Sequence, residues 1–172
     1  MTLPRLPIPA GPARYESVAS YLTRLANLHG LPAGELWRLV TAPLQGSQRR
    51  TVDGDRLAQI TGRRVEHLSR ALPELQGPDA WWESWRHQTQ PGCPRCDARH
   101  EGGPVLRLLP HHHYVCTRHR YWVGPPDAGQ PATPLRGLPG STTADILRAQ
   151  HQHRHLAARH GHSVTFDAVL TG

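Results

Sequence analysis

All three cysteines of this chain lie in one stretch, CPRCDARHEGGPVLRLLPHHHYVCTRHR, at residues 93–120. Cys93 and Cys96 form a Cys-x-x-Cys pair, and Cys116 opens a Cys-x-x-His pair with His119. Tetrahedral zinc takes four thiolate or imidazole donors, and a tight Cys-x-x-Cys turn is the common half-site. The two pairs share the same internal spacing, and 19 residues separate them, within the roughly 15–20 between paired zinc knuckles. Between them, VLRLL (105–109) and YVCT (114–117) are β-favouring runs around a Pro-His turn, which predicts a hairpin. The spacing therefore predicts one structural Zn2+ on Cys93, Cys96, Cys116 and His119. His119 is selected by spacing alone, with His100, His111, His112 and His113 as nearby competitors. Four protein ligands leave no position for an activated water, which argues against hydrolytic zinc chemistry. The competing reading is a set of unligated thiols.

A metal staple suits this composition. The 172 residues are 37% hydrophobic with a single Phe and a single Met, too little for one large core. Two small units are expected, and small units draw on metals or partners for stability. With 17 Pro and 16 Gly, much of the backbone is turn and loop. The formal charge of +7 excludes 13 histidines and favours an anionic partner, nucleic acid above all. All 20 basic residues are Arg and none is Lys, so a compositional bias of the genome is the alternative source of that charge.

Along the chain, Pro4, Pro7, Pro9 and Pro12 make residues 1–14 an extended arm. Val18, Tyr21, Leu22, Leu25 and Leu28 then recur at helical spacing until Gly30, and Leu36, Trp37 and Val40 mark a second short helix. Asp53 caps a third, with Leu57 and Ile60 inward and Gly62 at its end. Val65, Leu68, Ala71 and Leu72 define a fourth that Pro73 closes. Two short helices around a Gly-containing turn form a helix-turn-helix pattern, whose second helix enters the major groove. Its candidate nucleic-acid contacts are Arg63, Arg64, His67 and Arg70; a plain helical hairpin with a solvated basic face is the alternative.

Trp81, Trp82 and Trp85 mark a joint, for base stacking or simply for covering the seam between units. A Pro/Gly linker follows, and Ser141 or Thr143 caps a final long helix ended by Gly161. Ile146, Ala149, His153, Leu156 and Ala157 form its expected packing side, and Arg148, His151, His155, Arg159 and His162 a basic stripe. SVTFDAVL is a last short helix. The fold class is mainly α with a small β zinc-ribbon-like module: an N-terminal helix-turn-helix domain (1–78), a Trp-rich joint and zinc knuckle/hairpin (79–125), a linker (126–142) and a C-terminal basic helical segment (143–172).

No apolar run approaches the ~20 residues of a membrane span, and the proline-broken N-terminus lacks the apolar region of a signal peptide. The odd cysteine count argues against a disulfide framework; the chain reads as cytoplasmic. No Ser, His or Asp sits in a nucleophile context, no phosphate-binding Gly-rich loop is present, and the acidic residues form no pair for magnesium. A non-catalytic protein is expected, with no small-molecule substrate.

These residues resemble a family. LPRLPIPAGPARYESVASYLTRLANLHGLPAGELW is similar to the start of TniQ proteins, with its Leu-Pro arm, Glu-Ser, Leu-x-Arg-Leu-Ala and Gly-Leu turn. LAQITGRRVEHLSRALPEL resembles that family's helix-turn-helix portion, CPRC with CTRH its first zinc knuckle pair, and ILRAQHQHRHLAARHG a helix of actinobacterial relatives. The resemblance implies a non-catalytic accessory protein of DNA transposition that helps select the target. Its partners would be duplex DNA and a transposition ATPase or an RNA-guided complex. It places the zinc ligands at Cys93, Cys96, Cys116 and His119 and the motif helix at Arg63 to Arg70. Many members carry a second Cys-Pro-x-Cys pair where this chain reads YWVGPPDAGQP, so a single zinc site is expected. Many are also longer, and functions of their C-terminal extension, including sequence-specific target choice, lie outside what the resemblance implies. A helix-turn-helix transcriptional regulator with structural zinc, or a protein-only interaction module, are the alternatives.

Overall fold

The computed structural model describes residues 4–43, 50–76, 86–124, 133–134 and 140–171, about half of them helical with small antiparallel sheets. Trp81, Trp82, Trp85 and most of the expected linker lie outside the described residues. The chain forms two compact units, Met1–Gly77 with Asp97–Arg107, and Pro78–Cys96 with Leu108–Gly172.

In the first unit, α1 (Val18–His29) starts where the Ser17 side chain accepts the Ser20 N–H and the Glu74 carboxylate accepts the Val18 N–H at 3.0 Å. It stops at Gly30, whose φ of 61° is open to glycine. α2 (Ala33–Val40) leads into a ribbon of β1 (Thr41–Pro43) and β2 (Arg50–Val52), with Thr41 opposite Val52. Asp53 caps α3 (Gly54–Thr61) through the Asp55 and Arg56 amides; Gly62 turns the chain at φ 64° into α4 (Val65–Ala71), and a single 3-10 turn follows at Pro73–Leu75. Tyr21, Leu22, Leu25, Leu36, Val40, Leu57, Ile60, Leu68 and Leu72 make one core, each large aliphatic worth about 1.5–3 kcal/mol when buried. The described residues of the arm, 4–14, carry no helix; Leu6 donates its amide to the Ile60 carbonyl at 2.8 Å, and Leu6 and Ala10 close over the core.

Behind the arm lies a charged pair that sequence patterning did not single out. Glu16 and Arg24 have side chains 0% and 1% exposed. Arg24 donates Nε to Glu16 Oε1 and Nη2 to Oε2, both at 2.8 Å, and its remaining donors meet the carbonyls of Gly11 and Glu101. Glu16 also accepts from the Ala13 amide at 2.7 Å and the Ser20 hydroxyl at 3.0 Å. These partners give physical content to the Glu-Ser and Leu-x-Arg-Leu-Ala pattern: one ion pair locks the arm to α1.

Residues 97–107 belong to this unit. Leu106 donates its amide to Ser20 Oγ and accepts from the Ser17 amide, Glu16 bridges Arg107, and Arg107 pairs with Asp97. Gly102 (φ 93°) lies so close to α1 that an added Cβ would sit 2.4 Å from the Arg24 carbonyl oxygen. The hairpin expected between 105–109 and 114–117 therefore does not form. Leu106 and Arg107 turn to the start of α1, where Ser17, Ser20 and Glu16 supply the partners, while Val115–Cys116 pairs with Tyr121–Trp122.

In the second unit, the Val115–Cys116 and Tyr121–Trp122 strands are antiparallel, with Cys116 opposite Tyr121, and Thr133–Pro134 adds to the Tyr121 strand. Buried Arg86 ties the loops around them, donating to the carbonyls of His111, His113 and Val123 at 3.1–3.2 Å. α6 (Gly140–His160) and α7 (His162–Thr171) meet at Gly161. α6 begins ahead of Ser141 and Thr143, so neither is its cap. Its buried positions are Gln150 and Ala157. The Gln150 amide accepts from the Tyr114 and Val115 N–H groups and donates to the Val115 carbonyl at 2.8 Å, completing an edge strand that would otherwise bury unpaired backbone.

Candidate metal centre and motif helix

Cys93 and Cys96 bracket a turn closed by the Cys96 amide on the Cys93 carbonyl at 2.9 Å, which continues as the single helical turn α5 (Pro94–Asp97). The second half-site sits on the hairpin after Cys116, where the Arg120 amide reaches the Cys116 carbonyl at 2.8 Å and Arg120 takes φ 52°. Arg95 lies over the Tyr121 ring at 5.9 Å, joining the two turns. The four donor atoms, three Sγ and His119 Nδ1, lie within 4.8 Å of one another. The Cys96–Cys116 sulfurs are 3.8 Å apart, and Nδ1 stands 3.4, 3.3 and 3.8 Å from Cys93, Cys96 and Cys116. Tetrahedral Zn with Zn–S of about 2.3 Å and Zn–N of about 2.0–2.1 Å places sulfurs about 3.8 Å apart and nitrogen about 3.6 Å from sulfur. The geometry fits one such ion.

Zinc ligation would need these thiols as thiolates. Burial pushes the Cys93 thiol up, and burial with the neighbouring Cys116 and Cys93 groups pushes Cys96 up to about 11. Thiols crowded in this way ionise together only when a cation offsets their charge. Three of the four competing histidines have ring contacts elsewhere. His100 lies in the first unit with its amide on the Asp97 carbonyl; His111 stacks on Phe166, His112 on His153 at 4.0 Å, and His113 Nδ1 faces Arg154 at 3.2 Å. Among the described residues, the group that can hold a metal is Cys93, Cys96, Cys116 and His119.

The α3–α4 residues divide. Arg63 is half-buried, and its Nε donates to the Ala10 carbonyl at 3.1 Å, beside the Tyr21 hydroxyl that donates to the same oxygen at 2.8 Å. Its guanidinium thus holds the arm. Arg64, at the N-cap of α4, is exposed and paired with Glu66 at 3.2 Å; His67 and Arg70 are exposed on α4.

Together, the described residues define a protein about half helical, with small antiparallel sheets and a Cys3His cluster on a turn and a hairpin. A family model described as TniQ matches residues 7–122, and the chain belongs to the TniQ family. The match takes in α1 to α4 and both halves of the cluster and ends ahead of α6. This membership supports a transposition-associated role. Comparison with curated proteins returns no match, and neither does comparison with solved structures. No helix among the described residues is long and apolar enough to cross a membrane.

Proposed function

We propose that this protein is a non-catalytic adaptor of DNA transposition, stabilised by one structural zinc ion, that contacts duplex DNA and recruits a transposition ATPase or an RNA-guided complex. The observation that carries this reading is the TniQ match over residues 7–122, which contains both the helix pair and the Cys3His cluster. Zinc on Cys93, Cys96, Cys116 and His119 would be closed to water, so its contribution is folding of the second unit rather than chemistry. In this reading α3 and α4 form a helix-turn-helix, with Arg64, His67 and Arg70 on duplex phosphates or bases and Arg63 positioning the arm.

The test is fluorescence anisotropy with random duplex across a salt series, joined to affinity capture from the native cell with and without nuclease. Each neutralised phosphate adds about 0.9 to the slope of log K against log salt. Arg64→Ala with Arg70→Ala is expected to reduce that slope by about two and leave folding intact. Salt-independent binding, or capture lacking any transposition protein, would reject the proposal. A strong preference for one operator sequence would point instead to a transcriptional regulator.

A further inference from the structure

The face of α6 that hydrophobic periodicity assigns to packing is only partly covered. Ile146 is half-buried, Ala149 is exposed, and Leu156 is 45% exposed. With Tyr114, Trp122 and Val169 they line an open pocket of about 530 Å3 inside the second unit, within the roughly 300–1,000 Å3 of ligand-binding clefts. Its lining is almost entirely apolar. The Gln150 amide at its floor is committed to the Tyr114 and Val115 backbone. Tyr114 and Val169, 38% and 62% exposed, extend the apolar surface outward, and contiguous apolar surface of this kind marks an interaction site.

The charges beside the pocket specify its occupant. At 100° per residue, Arg148, His155 and Arg159 form a row next to Gln152 and Leu156 at the pocket's edge, and all three are exposed. Over the whole sequence of this unit, eight arginines stand against five carboxylates. An apolar concavity beside a cationic row suits an apolar side chain whose neighbours carry carboxylates. A nucleobase fits less well, because most of the lining area is apolar and only the side chains of His112, Gln152 and His153 could meet its polar edges. We propose that this pocket takes an apolar anchor side chain from an acidic peptide segment of a partner protein, with the partner's carboxylates along Arg148 and Arg159. The surface lies mainly on α6 and α7, beyond the residues of the TniQ match, and stands independently of duplex contact by α4.

The test uses the full zinc-loaded chain and a fluorescein-labelled, Glu-rich helical peptide with Trp and Leu on one face. Control peptides replace Glu by Gln, or Trp and Leu by Ala. Methyl NMR supplies the site-specific readout, since the only isoleucines are Ile8, Ile60 and Ile146. Saturable binding that shifts the Ile146 methyl and leaves buried Ile60 in place is expected, with both controls weaker. Ala149→Trp, which fills the pocket, and Arg148→Glu with Arg159→Glu should each weaken binding about tenfold or more. Should Ala149→Trp fail to fold, Leu156→Ala removes an exposed contact and is expected to weaken binding in the same direction. An unmoved Ile146 methyl, or affinity unchanged in the variants that fold, overturns the proposal. So does a single-stranded oligonucleotide, or a second copy of the chain, that moves Ile146 when the acidic peptide does not.

Discussion

Replacing Arg24 by Met should cripple the first unit. Arg24 is 1% exposed and its partner Glu16 0%, so neither charge reaches water. The variant keeps most of the aliphatic volume but removes both hydrogen bonds to Glu16 and those to the Gly11 and Glu101 carbonyls. Glu16 then retains only the Ala13 amide and the Ser20 hydroxyl. Breaking a buried pair from one side typically costs about 3–5 kcal/mol, because a charge is left behind uncompensated. For a folding unit of this size, each kcal/mol lowers Tm by roughly 4–8 °C, so a drop of at least about 12 °C is expected. Thermal melts followed by far-UV circular dichroism measure it, with metal content as the control, since the Cys3His cluster belongs to the other unit. The double variant Arg24→Met with Glu16→Leu should recover much of the loss, because removing both charges abolishes the orphan. A single-variant cost below about 1 kcal/mol would refute the claim that this pair locks the arm to α1.

Cys96→Ser should lose the metal, from about one zinc per chain to none by atomic emission, with folding lost in the second unit around residues 90–96 and 108–124 while α1 to α4 and residues 97–107 are retained; full metal content and an unchanged melt would contradict the assignment. The Tyr21 hydroxyl is raised from 10.0 to about 12, first by burial. The folded state therefore holds that proton more tightly than the unfolded one. Its contribution is fully present below about pH 10 and is lost as pH rises to about 12, costing about 2 kcal/mol. Tyr21→Phe should flatten this alkaline slope in urea melts at stepped pH; an equal slope in the variant would place the cause elsewhere.

Features whose cause is local were readable from the chain itself. Asp53 as a cap and Gly30 and Gly62 as stops each depend on a few neighbouring residues, and the knuckle spacing brings Cys93 and Cys96 together within one turn. What the chain did not reveal has another origin. Val105 to Leu109 reads as a strand, but a strand's pattern does not name its partner, and the start of α1 at Ser17 and Ser20 takes the Leu106 backbone in place of YVCT. Glu16 and Arg24 read as two charges among many, because periodicity records polarity and not the burial of a pair. Gln150 is the sharpest instance: a hydrophobic scale assigns an amide to solvent, whereas here its two-sided hydrogen bonding substitutes for a missing strand.

The same substitution explains the pocket. A helix held by an amide that must reach the Val115 edge is positioned by hydrogen-bond direction rather than by close fit of its aliphatic residues. Ile146, Ala149 and Leu156 consequently stand back from Tyr114 and Trp122 and leave an open apolar concavity between them. A leucine at position 150 would let the helix settle inward on its apolar face, but it would strand the Tyr114 and Val115 backbone groups. The geometry that satisfies the hairpin backbone therefore also keeps the apolar face of α6 open to a partner.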